Sequence, residues 1–142
     1  MNIKFASYAH GLAPILIIVG IFAFGSIVAG KVVAQEQSDG YPSLYIQSGM
    51  PQYPNGTVTK TRQGRNLSEG AQVTIETLDS MTTIKGFFDS ELANRGLTNT
   101  MGLPVNEFST MAIYKDGPKR FSLTITRIGN GPNYKIQINY RE

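Results

Sequence analysis

Cysteine and tryptophan are absent from the 142 residues, histidine occurs once, at His10, and only 16% of the chain is charged. Without cysteine there is no disulfide, no thiolate nucleophile, no lipid attachment at a lipoprotein-type cysteine and no zinc site built on sulfur. A single histidine excludes a multi-histidine metal cage. A strong basic excess is lacking too. The formal net charge is +3, but Lys4 and Lys31 flank an apolar N-terminal stretch, and every acidic residue lies from Glu36 onward. Setting those two lysines aside leaves eleven basic against ten acidic residues, which is not the footprint of a nucleic-acid binder.

What is present is a long apolar run. Leu12 to Gly30, LAPILIIVGIFAFGSIVAG, carries no charge over 19 residues. A helix starting at Pro14, whose missing N–H costs nothing in the first turn, and ending at Ala34 has 21 residues. At about 1.5 Å per residue it spans about 31 Å, the hydrocarbon thickness of a bilayer. Residues 1–34 therefore read as a short tail and a single transmembrane helix. Phe5 and Tyr8 on one side and Tyr41 and Tyr45 on the other suit the two interfaces. A cleaved signal peptide is the competing reading, with Val32-Val33-Ala34 as the cleavage signal before Gln35. Against it, the apolar core exceeds the usual signal length of about 7–15 residues. One lysine near each end encodes orientation only weakly, and the short N-terminal tail favours a cytoplasmic N-terminus with the C-terminal domain outside.

Within the span, Gly25 and Ala29, and likewise Ser26 and Gly30, stand four apart and share a helix face on which small residues let another helix approach closely. These four are the candidate helix-packing residues. His10, just before the span, reads as an interfacial histidine. A haem or chlorophyll-type ligand is the minor alternative, and no cofactor or metal is expected.

Residues 35–56 are rich in Gly, Pro, Ser and Gln, show no sustained period and read as a linker. Its Tyr41, Leu44, Tyr45 and Ile46 are unusually apolar for a solvated tether and form a candidate interface with a neighbour or the membrane surface. Residues 57–142 then become regular. Strands are predicted over Thr57–Gln63 and Ala71–Thr77, and Ser80 is positioned to cap a helix running from Met81 to Arg95, where Gly96 supplies a left-handed stop. Leu97 to Glu107 is predicted as a loop. Strands follow over Phe108–Lys115, Arg120–Ile128 and Tyr134–Tyr140, separated by turn sequences at Asp116-Gly117-Pro118 and Gly129–Asn133. The expected fold class is α+β: an antiparallel sheet with one helix on its dry face, in the order ββαβββ.

Tyr53-Pro54-Asn55-Gly56, then Glu76-Thr77-Leu78-Asp79-Ser80, then Ile84 with Phe87-Phe88, then Gly96, resemble a recurring, largely uncharacterised bacterial domain of membrane-anchored or secreted proteins. Its pattern is a Tyr-Pro-Gly start, a Glu-Thr-x-Asp-Ser sequence leading into a helix, a Phe-Tyr pair on that helix and a Gly-Trp exit. Here Asn55 is inserted before Gly56, Phe88 replaces Tyr and Leu97 replaces Trp. The resemblance implies an extracytoplasmic α+β module and brings no catalytic residues; with the apolar span as anchor, the expected location is a bacterial inner membrane with the domain outside.

With His10 in the membrane segment, catalysis is left only a carboxylate pair drawn from Glu69, Glu76, Asp79, Asp89, Glu91 and Glu107. Asp79 reads better as a helix N-terminal anion, and Asp89 and Glu91 as a solvated helix face. The expected function is a non-catalytic single-pass accessory subunit. Its partners would be larger integral membrane subunits, of a photosynthetic or respiratory complex for example, together with the lipid bilayer. The alternative is an independent envelope protein binding a small ligand or peptide beside the 97–107 loop. The mass of the mature chain in washed membranes tests the anchor: an uncleaved species is expected, whereas a soluble one beginning near Gln35 means the segment is a signal peptide.

Overall fold

A computed structural model of the chain describes the backbone of Glu36 and Gln37 and all of residues 40–142. The expected span, His10 and the four small residues Gly25, Ser26, Ala29 and Gly30 lie outside the described residues, among which no helix is long and apolar enough to cross a membrane. The rest is an α+β domain. Strands β2 (Thr57–Gln63) and β3 (Ala71–Thr77) form a hairpin, and helix α2 (Met81–Ala93) crosses to the far edge. Strands β4 (Thr98–Gly102), β5 (Ser109–Asp116), β6 (Lys119–Ile128) and β7 (Asn133–Arg141) then return as a meander that brings β7 beside β3. All pairings are antiparallel, and a two-residue strand β1 (Glu36–Gln37) adds to the outer edge of β2.

Alternation decides which side is dry. Ala71, Val73 and Ile75 on β3 lie opposite Tyr140, Ile138 and Ile136 on β7, and these lie opposite Phe121, Leu123 and Ile125 on β6. Those in turn face Tyr114, Ala112 and Thr110 on β5, so three rows of buried side chains cross four strands. Helix α2 lays Met81, Ile84, Phe88 and Leu92 on them, at the three- and four-residue spacing of one helix face. Ser80 caps the helix, its Oγ accepting from the Thr83 N–H at 3.1 Å. At the other end the Leu97 N–H donates to the Leu92 carbonyl at 3.0 Å and the Gly96 N–H to that of Ala93 at 2.9 Å. This is the double bond of a Schellman stop, and Gly96 takes the left-handed φ of +80° that it requires.

Two expectations are corrected. Residues 98–102, predicted as loop, are the edge strand β4; every residue in it is exposed, so no alternation marked it. The stretch expected to be a tether carries helix α1 (Ser43–Gln47) and supplies Tyr45, Met50 and Tyr53 to the core. A six-stranded sheet is about 24 Å wide at about 4.8 Å per strand, and one helix about 10–12 Å across leaves part of its dry face uncovered. Tyr45 fills the gap with its ring 6.4 Å from that of Tyr140 and 6.5 Å from that of Phe121.

Phe88 touches both layers, lying 5.9 Å from the Tyr53 ring and 5.7 Å from that of Phe121. Truncation by Phe88→Ala is expected to lower the free energy of unfolding by about 3–5 kcal/mol, read from urea denaturation, with Leu92→Ala costing about 2–5 kcal/mol.

Candidate functional site

The residues of the quoted motif converge in space. The Tyr53 hydroxyl donates to Asp79 Oδ2 at 2.5 Å, and Asn55 Nδ2 donates to the same oxygen at 3.1 Å. Thr77 Oγ1 donates to the Asn55 carbonyl at 2.6 Å and accepts from the Asp79 N–H at 3.2 Å. The Tyr53 ring stands edge-on to Phe87 at 5.2 Å and stacks on Phe88. The segment entering the domain is thereby tied to the start of α2. A second tie joins the middle of α2 to the sheet: the Tyr114 hydroxyl donates to Asp89 Oδ1 at 2.5 Å, while Lys85 Nζ donates to Oδ2 at 2.6 Å.

These pairs work against chemical activation of the phenols. Burial raises the affinity of Tyr53 for its proton, and the hydrogen bond to Asp79 raises it further. Tyr114 is raised in the same way, by burial and then by Asp89. Burial also lifts Tyr41 and Tyr45, and Tyr140 is pushed up to about 12 by burial and by its bond to Glu142. A phenol held protonated is a hydrogen-bond donor and a poor nucleophile. The remaining acids considered for catalysis are dispersed: Glu91 pairs with Arg95 at 2.5 Å, Glu69 with Arg65 at 2.5 Å, and Glu76 and Glu107 are exposed.

Of the candidate interface residues, Tyr45 is fully buried and its hydroxyl donates to the Pro51 carbonyl at 2.6 Å, so it serves this domain's own core. Tyr41 stacks on it at 5.2 Å and its hydroxyl accepts from the Tyr53 N–H, which leaves Leu44 half-buried and Ile46 on the surface. The larger apolar exposure lies elsewhere. Met101, Leu103, Val105 and Phe108 are 56, 54, 41 and 69% exposed on and after edge strand β4. Their loop is fixed: Thr110 Oγ1 donates to the Leu103 carbonyl at 2.8 Å, and Asn106 Oδ1 accepts from the N–H groups of Phe108 and Ser109 at 2.8 and 2.9 Å. Four large apolar residues in eight positions are a signal in the sequence, but only the fold shows that none of the other described residues covers them. No family model, no curated protein and no solved structure matches the chain.

An unfolded tyrosine loses its proton near pH 10, whereas the raised ones keep theirs when folded. The folded state therefore binds more protons above about pH 10, and stability must fall as pH rises across that window. Below about pH 10 the contribution is complete, and the share from Tyr140 is spent by about pH 12. Urea midpoints are expected to be level between about pH 8 and 9.5 and to drop by about pH 11, less steeply in Tyr53→Phe and Tyr114→Phe.

Proposed function

We propose that this chain is a non-catalytic, single-pass accessory subunit of a bacterial membrane complex, anchored by residues 12–34 and docked through the β4 edge of its α+β domain. The observation that carries the reading is the exposure of Met101, Leu103, Val105 and Phe108 beside a strand that, among the described residues, is paired on one side only. Large exposed apolar side chains on a fixed loop, next to unpaired strand backbone, mark a surface that another protein covers. The uncharged run supplies the anchor, and Gly25, Ser26, Ala29 and Gly30 offer a partner helix a close approach. The domain would lie on the extracytoplasmic side of an inner membrane. A second reading, an envelope protein that binds an extended peptide, is supported by the same free edge, to which a peptide strand can add.

After mild detergent extraction the protein is expected to migrate with larger integral membrane subunits in a fixed ratio. Leu103→Asp with Phe108→Asp should release it while leaving its urea midpoint nearly unchanged, because both side chains are already exposed. Gly25→Leu with Ala29→Leu tests the helix contribution separately. Migration of the wild-type chain as a lone monomer overturns the proposal.

A further inference from the structure

The face of the sheet opposite α2 carries a row of like charges that folding does not require. Lys115 on β5 lies directly opposite Arg120 on β6, and Arg120 directly opposite Arg141 on β7. Along each strand these positions alternate with the buried set, so the three cations share one row across three strands on the open side. Residues directly opposite in a ladder have Cβ atoms about 4.5–5.5 Å apart, close enough for like charges to destabilise the pairing. No hydrogen bond or ion pair with another described residue relieves them.

The next row offers neutral hydrogen-bonding groups. Ser122 lies opposite Asn139, and Asn139 opposite Gln72. Arg120, Arg141, Ser122, Asn139 and Gln72 line a concavity of about 360 Å³. The acid on its rim is Glu69, and that carboxylate is already engaged: Oε1 accepts from Arg65 Nε at 2.8 Å, and Oε2 from the Arg65 N–H at 2.9 Å. Among the described residues the concavity is therefore cationic and rich in donors, its one lining carboxylate being paired with Arg65.

We propose that this row is a binding site for a phosphate-bearing anion, gripped by Arg120 and Arg141 and supported by Ser122, Asn139 and Gln72. Two guanidinium forks and neighbouring neutral donors approach from several directions, which suits the tetrahedral oxygens of a phosphate, two terminal ones in a diester and three in a monoester, better than the flat pair of a carboxylate. Its negative charge cancels the repulsion within the row. Two sources present the same chemistry, a free phosphate compound and the headgroup of an anionic phospholipid. The site stands on the open face, so it does not depend on the β4 edge serving as a docking surface.

The full-length protein in non-ionic detergent is titrated with inorganic phosphate, with glycerophosphoglycerol as the soluble diester headgroup of phosphatidylglycerol, and with sodium chloride at matched ionic strength. Binding is followed by calorimetry and by the urea midpoint. At least one of the two phosphates is expected to bind and to raise the midpoint beyond chloride. Arg141→Gln and Arg120→Gln should each weaken that binding by about tenfold or more. Without any anion, Arg120→Gln should raise the midpoint by removing the central charge of the row. Lys135→Gln, on the same face but several positions away along β7, should bind like the wild type. Preference for inorganic phosphate assigns a soluble ligand, and preference for the diester assigns a lipid headgroup; both support the site. The proposal is overturned if neither phosphate exceeds chloride, if Arg141→Gln binds as tightly as the wild type, or if Lys135→Gln loses as much affinity as the arginine variants.

Discussion

The need to cover one side of the sheet, and one side only, organises the domain. Val73, Ile75, Phe121, Leu123, Ile125, Ile136 and Ile138 project from three central strands into one apolar layer and are no more than 1% exposed. Burying a side chain of this size contributes about 1.5–3 kcal/mol before entropy is counted, so the layer above it cannot be optional. Helix α2 supplies part of that layer, and the segment containing α1 supplies the rest. The crossover geometry follows. A single helix leaving β3 must travel across the sheet to reach β4, and the meander then returns to close β7 against β3.

Tyrosine solves the problem that such a thin, two-layer core creates at its seam. Tyr45, Tyr53 and Tyr114 bury their rings between the layers yet end in hydroxyls that must find acceptors. Each finds one at the boundary: the Pro51 carbonyl, Asp79 and Asp89. Among the described residues no buried side-chain nitrogen or oxygen is left without a partner. The same bonds therefore fill space, satisfy polar atoms and lock the helix to both the sheet and the preceding segment. Carboxylates used in this way hold the phenols protonated and fix where their rings stand.

Much of the sheet was legible because its residues alternate. Phe121, Leu123 and Ile125, and Ile136, Ile138 and Tyr140, repeat at the strand period, and Ser80 and Gly96 bracket α2 with recognisable end signals. Two elements were silent for different reasons. Strand β4 is exposed along its whole length, so nothing in Thr-Asn-Thr-Met-Gly alternates. Helix α1 has five residues, too few to show a period, and the Pro, Gly and Ser around it imitate a linker. The aromatic cluster at Tyr41 and Tyr45 stands out in the sequence, but whether it faces outward or inward depends on how much of the sheet α2 leaves bare. The Lys115, Arg120 and Arg141 row was invisible for a third reason: its members are scattered in sequence and meet only through the register of two hairpins.

That register also bears on why such a row persists. On the same open face Glu76 lies directly opposite Lys135, a complementary pair of the kind that stabilises a ladder. Thr74, Gln137 and Thr124, in the adjoining positions, are neutral. The face thus accommodates both matched charges and no charges, and neither its backbone nor its solvent exposure compels three cations to stand together at one end. Because the buried side supplies most of the pairing energy, the open side tolerates a local electrostatic penalty. A penalty that is tolerated, unrelieved among the described residues and flanked by free hydrogen-bonding groups is best explained by an anion that removes it on binding.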